Sequence, residues 1–382
     1  MYCEKPEASS RIIILVRRLD QGGAQRQLIA LALGLKASGR DVRVVLFYPG
    51  GAFEAELGSH GIPIYVPGKH GRWDTIGFLI RLAICLHRLQ PDVVYSFMNV
   101  PNILAVVLRP FLAGTRIVWG VRASNMDLSR YDRLSRIAYG LERRLARFAD
   151  SIIANSYAGK RHAIENGFPE GKMVVIPNGI DTKYFQFEAE GRRDVRMEWG
   201  IGEKEILVGL IARLDPMKDH PTFLEAASRI ARVRDDVRFV CVGDGSADYV
   251  GLIKRQAVAL GLANQLIWAG ARDNMPSIYS ALDIATSTSA FGEGFSNTIA
   301  EAMACCVPCV VTDVGDSAQI VGETGSVVAP ADHSALAAAI QRLISLPPKE
   351  RRALGEMCRA RIMSEFGMDT LVQRTEHALG LA

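Results

Sequence analysis

The chain has 382 residues, 49% hydrophobic and 23% charged, with a formal net charge of +4 at neutral pH. That length exceeds what one core usually supports, so two domains are expected, and the composition excludes a disordered or repeat protein. The polar opening to Ser10 and the brief apolar run at 12–16 exclude a signal-peptide core or a membrane span there, which predicts a cytoplasmic protein. Charge divides unevenly: residues 1–184 carry 25 Lys+Arg against 15 Asp+Glu, the remainder 20 against 26. Only the first part should seek an anionic surface. The seven cysteines lie mostly in apolar segments, as reduced thiols do, and Cys306-Val307-Pro308-Cys309 has no second pair to complete a zinc site. The scattered histidines give no metal-ligand spacing either, so no metal is expected.

Apolar runs of strand length alternate with longer segments of helical period, the pattern of parallel sheets covered by helices. The first strand is predicted at 11–16, ending in Asp20-Gln21-Gly22-Gly23 ahead of a helix at 24–37 that Gly39 closes. Gly22 and Gly23 fit a tight steric turn, and they equally fit backbone N–H groups turned on a phosphate. Their spacing is not G-x-G-x-x-G, which argues against a dinucleotide cofactor. Further strands are predicted at 42–47, 62–66, 92–97, 116–120, 151–155 and 174–177. Two segments stand out for a lipid surface. Residues 73–89 contain Phe78, Leu79, Leu82, Ile84 and Leu86. In 129–150, six arginines (130, 133, 136, 143, 144 and 147) surround a stripe of Tyr131, Leu134, Ile137, Ala138, Leu141, Leu145 and Phe148. Such a stripe more often packs on a sheet, leaving the arginines to face lipid headgroups. Neither segment carries nucleic-acid signatures.

The polar stretch at 190–196 reads as the hinge, after which the alternation restarts. Strands are predicted at 206–211, 237–242, 265–268, 283–286, 308–312 and 326–328, with helices centred on 335–343, 349–363 and 369–378. Two doubly wound units facing each other would leave a cleft lined by loops at the strand C-terminal ends, where such folds bind ligands.

Arg213 and Lys218 leave a strand end and a helix start together, so a forked and a point cation could grip a diphosphate. Pro216 stiffens that turn and Asp219 can cap the helix. The alternative is an Arg213 ion pair and a solvated lysine. Gly243-Asp244-Gly245 is a further turn after a strand, open to a plain turn reading. Arg272 could hold or stack on a base. The richest stretch is Phe291-Gly292-Glu293-Gly294-Phe295-Ser296-Asn297, which opens a helix carrying Glu301. Backbone N–H groups at such a helix start suit an anionic oxygen, and glycine lets it come close. Glu293 and Glu301 accept hydrogen bonds only, which suits hydroxyls on both sides of a ligand's phosphates, as in a nucleotide sugar.

Taken in order, Gly22-Gly23-Ala24, Asn155-Ser156, Pro177-Asn178-Gly179-Ile180-Asp181, Arg213 with Lys218, Gly243-Asp244-Gly245 and the pair Glu293 and Glu301 resemble the retaining glycosyltransferases of the large GT4 family. The resemblance covers nearly the whole chain, and its specific part is E-x7-E after F-G-E-G-F, preceded by R-x4-K. It implies an α/β protein of GT-B fold, two Rossmann-like doubly wound domains facing a central cleft. Residues 1–184 would form the acceptor-side domain, with a C-terminal helix at 367–382 packing back on it, and 185–366 the nucleotide-sugar domain. The implied reaction moves a sugar from a nucleotide-diphosphate donor, UDP before GDP, to a glycan or lipid-linked acceptor in cell-surface polysaccharide synthesis, with no cofactor and no metal. Arg213, Lys218 and Glu293 would be catalytic. Glu301 would bind the ribose, and Gly294, Phe295, Ser296 and Asn297 the sugar and distal phosphate. Gly22, Gly23, Gly243 and Arg272 would also serve the donor, while Arg122, Asn125, Asn155 and Asn178 would line the acceptor or sugar side.

Two positions depart from the family pattern. Many members carry a histidine in the loop after the strand at 116–120, where this chain has Arg122, a permanently charged donor that cannot act as a base. Gln25 stands where an acid is common after the two glycines. A sugar phosphorylase or nucleotide-sugar epimerase on the same fold, or a nucleotide-sugar-binding protein without catalysis, are the alternative readings.

Overall fold

A computed structural model describes residues 10–20, 22–71, 73–121 and 133–381. Arg122 and Asn125, expected on the acceptor or sugar side, lie outside the described residues. The chain divides into two compact units, one running to Gly179 and taking in Met368–Ala382, the other Ile180–Gly367.

In the first unit the order is β1 (Arg11–Val16), α1 (Gly23–Ala37), β2 (Asp41–Leu46), α2 (Glu54–Ser59), β3 (Ile64–Tyr65), α3 (Ile76–Leu89), β4 (Val93–Phe97), α4 (Asn99–Val107), β5 (Arg116–Val121), α5 (Arg133–Leu145), β6 (Ser151–Ala154), α6 (Tyr157–Glu165) and β7 (Met173–Val175). The second runs α7 (Ala189–Glu198), β8 (Ile206–Ile211), α8 (His220–Ala231), β9 (Val237–Val242), α9 (Ala247–Ala259), β10 (Leu266–Gly270), α10 (Met275–Ala281), β11 (Ile284–Ser287), α11 (Asn297–Ala304), β12 (Cys309–Thr312), α12 (Ser317–Val321), β13 (Ser326–Val328), α13 (His333–Ser345) and α14 (Pro348–Glu365). The chain then returns to the first unit as α15 (Met368–Leu379).

Both sheets are parallel, ordered β3-β2-β1-β4-β5-β6-β7 and β10-β9-β8-β11-β12-β13. The near-continuous apolar strands follow from burial on both faces. Within β1, Ile12, Ile14 and Val16 join one apolar cluster with α1 and α15, while Ile13 and Leu15 join a second with α3. Strand order reverses between β1 and β4 and between β8 and β11. Loops leaving those neighbours diverge to opposite sides of the sheet and open a crevice.

Two stretches differ from expectation. The polar run at 190–196, read as a hinge, lies in α7, whose Arg192 and Arg196 bind Asp283 at 2.8 and 3.0 Å. Of the stripe at 129–150, Tyr131 and the Leu134 side chain lie outside the described residues, and the rest is split: Leu145 packs on the core, but Ile137 and Leu141 of α5 and Phe148 beyond it are exposed, while Tyr139 and Glu142 are buried. Glu142 on the inward side accepts from Asn102 Nδ2 of α4 at 2.8 Å.

Candidate active site

The loop after β8 is zipped to the turn after β9. Leu214 N donates to Asp244 O at 2.9 Å and Ala212 N to Val242 O at 3.0 Å. A Cβ at Gly243 would stand 2.0 Å from Ala212 O, and one at Gly245 2.0 Å from Leu214 O. Close backbone approach therefore accounts for both glycines before any ligand is invoked. Arg213 sits between those two contacts with its side chain 67% exposed, and meets Asp215 at 3.6 Å. Asp215 accepts from Met217 N at 3.0 Å to start the 3-10 turn Pro216–Lys218. Asp219, at φ +45, then caps α8 by accepting from Thr222 N at 3.2 Å and Thr222 Oγ1 at 2.6 Å. Caps on both sides fix the position of Lys218.

The loop after β11 meets this turn. Ala290 N donates to Met217 O at 2.9 Å and Thr288 Oγ1 to Lys218 O at 2.8 Å. Lys218 Nζ and Glu293 Oε1 form an ion pair, and Ser289 Oγ donates to the same oxygen at 2.8 Å. Both side chains are largely buried, at 17% and 9% exposure, so the pair is shielded from solvent screening. The glycine turn is braced from behind. Gly292, at φ +76, lies against Met217, and Gly315, at φ +66, lets its loop approach until a Cβ would be 2.6 Å from Glu293 O and Gly294 O. Asp316 N donates to Gly294 O at 2.9 Å.

Beyond the turn, Ser296 precedes α11 without a side-chain cap bond, and its Oγ lies 3.4 Å from Thr298 Oγ1. Asn297 is the first residue of α11. Phe295 is in the apolar core beside Phe366, ring centroids 5.4 Å apart, so only its backbone can face a ligand. On α11, Glu301 Oε2 accepts from Tyr279 Oη at 2.7 Å. Burial, then the nearby Glu301 carboxylate, pushes the Tyr279 hydroxyl pKa well above its ordinary value, so it stays a donor. Arg272 is ion-paired with Glu198, and its Nε donates to Ala269 O at 3.1 Å.

In the first unit Gly22 precedes α1 at φ 174, an extended conformation open to any residue, and its carbonyl accepts from Arg26 N at 3.0 Å. A Cβ there would meet only the Gln25 side chain at 2.6 Å, so backbone packing does not demand glycine. Gly23 is the first residue of α1. Asn155 follows β6 directly at 9% exposure, and Asn178 is 5% exposed beside Gly179. Gln27 of α1 pins that segment: Nε2 donates to Gly179 O at 2.9 Å and Oε1 accepts from Gly179 N at 3.1 Å.

The structure thus brings Lys218, Glu293 and the Gly292–Gly294 turn together where strand order reverses, with Arg213 on the same loop as Lys218. Ser289, Tyr279 and Gln27 are partners that the motifs do not name. Tyr279 had a signal, a hydroxyl in an apolar helix that must find an acceptor. Ser289 had none, because it pairs through a loop without periodicity. Among the described residues no group of metal-capable side chains clusters, and no helix is long and apolar enough to cross a membrane.

Residues 205–345 match the family model described as Glycosyl transferases group 1, and residues 21–184 the model described as Glycosyltransferase Family 4. A lipopolysaccharide core biosynthesis mannosyltransferase of Rhizobium meliloti is 29% identical over 52% of this chain and 56% of its own. A GDP-mannose-dependent alpha-(1-6)-phosphatidylinositol monomannoside mannosyltransferase of Mycolicibacterium smegmatis is 28% identical over 56% of this chain and 57% of its own. These matches thus span little more than half the length of those two relatives. Among solved structures, Anabaena Alr3699/HepE in complex with UDP superposes with a TM-score of 0.84 at 24% identity, covering 97% of this chain and 100% of that one. That likeness shows the same fold.

Proposed function

The chain belongs to glycosyltransferase family 4 and has the GT-B fold, and from that premise we propose that it moves a sugar from a nucleotide-diphosphate donor to a glycan or lipid-linked saccharide in cell-surface polysaccharide synthesis, with retention of configuration. The observation that carries this reading is the buried Lys218–Glu293 pair at the reversal between β8 and β11. Two opposite charges held at a glycine turn and a helix start offer a cation to a leaving diphosphate and a carboxylate to sugar hydroxyls. Arg213 adds a forked donor for the diphosphate, and Glu301, fixed by Tyr279, takes the ribose hydroxyls. The backbone at Gly294–Asn297 completes the donor site. Uridine is the first candidate base, supported by the UDP complex of the Anabaena protein. Guanosine is the second, supported by the GDP-mannose dependence of the mycobacterial relative. The excess of Lys and Arg in the first unit supports a peripheral position at the inner membrane face.

Arg213→Ala, at an exposed position, should lower turnover by about a hundredfold or more while keeping the thermal midpoint. Glu293→Gln should lower turnover at least as much and also lower the midpoint, because Lys218 is left largely buried without its counter-charge. Wild-type turnover in either folded variant rejects the assignment. A panel of UDP- and GDP-sugars read by thermal shift identifies the base, since a donor at about a hundred times its Kd adds about 2.7 kcal/mol of apparent stability.

A further inference from the structure

We propose that the outer face of α3, together with Phe111, docks on an anionic lipid bilayer. This deepens the membrane-facing part of the proposed function and rests on it.

The helix has two apolar stripes where a surface helix has one. Phe78, Leu82, Leu86 and Leu89 are buried in the core of the first unit. On the other side Ile76, Ile80 and Ile84, spaced four apart, are 74%, 55% and 46% exposed, and Trp73 just ahead of them is 84% exposed. Phe111, at 64%, and Val107, at 41%, lie across from them. Between the two walls runs a groove of about 620 Å³ lined by Leu79, Ile80, Ala83, Ile84, Val107 and Phe111. Single exposed apolar residues need no explanation, but a contiguous strip with a groove marks a contact surface.

The charges around the groove select the occupant. From Ile76 to Leu89 there is no Asp or Glu, and the stripe runs out at His87 and Arg88, which also line the groove. Arg109, on the opposite wall's 3-10 turn, is ion-paired with Asp150 at 2.8 Å, which leaves Arg88, with no acidic partner among the described residues, as the cation of the groove lining. The acid just ahead of the helix, Asp74, is held by Arg81. The first unit as a whole carries 25 Lys+Arg against 16 Asp+Glu, and the second 20 against 25. An apolar strip with tryptophan at one end and cations at the other has the residue types that settle at a lipid–water boundary over anionic headgroups. A second copy meeting this face would bring Arg88 to a groove whose lining offers it no Asp or Glu, whereas an anionic headgroup supplies the counter-charge.

The test uses the full chain, without nucleotide sugar, and vesicles of phosphatidylcholine either alone or mixed equally with phosphatidylglycerol. The protein should sediment with the mixed vesicles and much less with phosphatidylcholine alone. The emission of Trp73, isolated by comparison with Trp73→Phe, should shift to the blue. The Ile80→Ser/Ile84→Ser double variant, altered only at exposed positions, should keep its thermal midpoint and bind the mixed vesicles about tenfold more weakly or worse. The proposal is overturned by equal binding of wild type and double variant, by equal binding to both vesicle types, or by failure of the wild type to bind. A wild-type dimer that the double substitution dissolves would also overturn it. Transfer to a water-soluble acceptor is assayed separately. Vesicle binding without transfer rejects the enzymatic reading alone, and transfer without vesicle binding rejects the docking surface alone.

Discussion

Glu142 is a carboxyl almost out of reach of water, at 3% exposure, in a chain where Ser96 Oγ donates to Asn102 Oδ1 at 2.7 Å and Asn102 Nδ2 donates to Glu142 at 2.8 Å. Burial outweighs that donated bond and pushes its pKa from 4.5 up to about 7. The folded state therefore holds the proton more tightly than the unfolded one. The stabilisation is complete below pH 4.5 and is lost as pH rises to about 7. Across that window the unfolding free energy of the first unit should fall by on the order of 2–3 kcal/mol, and Glu142→Gln, neutral throughout, should abolish the fall. Urea unfolding at several pH values reads both. His220 works in the opposite sense. Neither ring nitrogen has a partner among the described residues, and burial takes its pKa from 6.5 down to about 4. Its contribution is present above the unfolded value and is lost as pH falls through that window. Acid thus weakens the second unit through His220 while it strengthens the first through Glu142.

At the scale of elements, α7 shows how a polar helix is held. Arg192 Nη1 donates to Ser280 O at 2.8 Å and Leu282 O at 2.9 Å, and Arg196 Nη2 to Gly202 O at 2.8 Å and Glu205 O at 2.7 Å. Both guanidiniums also reach Asp283, whose Oδ2 accepts from Leu207 N at 2.8 Å. One carboxylate therefore ties α7 to the end of α10 and the start of β8. Asp283→Ala would leave two guanidiniums largely buried without their counter-charge, and should cost about 3–5 kcal/mol of stability in a urea titration. No apolar periodicity announces such a helix, because its anchors are carbonyls and one acid distant in sequence. Helix α5 makes the related point. Its composition suggests that Ile137 and Leu141 face inward, yet Tyr139 packs in the core and Glu142 meets Asn102 on the inward side, so those two stay exposed.

At the scale of the whole molecule, the chain completes its first unit last. Leu371, Val372 and Leu379 of α15 are buried in the cluster that α1 and β1 also enter. The fit is close: a Cβ at Gly34 would lie 2.4 Å from Val372 Cγ2, and one at Gly179 2.9 Å from Leu371 Cβ. Arg40 Nε and Ser38 Oγ donate to Glu376 Oε1 at 2.7 and 3.0 Å. A chain ending at Gly367 would expose those surfaces, losing about 1.5–3 kcal/mol for each buried aliphatic side chain. That loss is comparable with the whole stability of a domain. The truncated chain should lose the unfolding step of its first unit in calorimetry, or aggregate, while the step of the second persists. Much of this architecture was legible beforehand. Short apolar runs alternating with helical periods predicted every strand of both sheets to within a residue or two, because burial on both faces leaves an unmistakable composition. The motif spacing likewise named Lys218 and Glu293 separately. By itself, then, the sequence determined what local pattern controls: element type, the doubly wound class and the residues of the glycine-rich and charged motifs. Tertiary structure alone decided that Lys218 and Glu293 pair, that Ser289 and Tyr279 hold the two acids, that Asp283 makes a helix of a polar stretch, and that only one of the two apolar stripes of α3 is used. Each of those outcomes depends on which strands become neighbours, and contacts between distant residues leave no period in the chain.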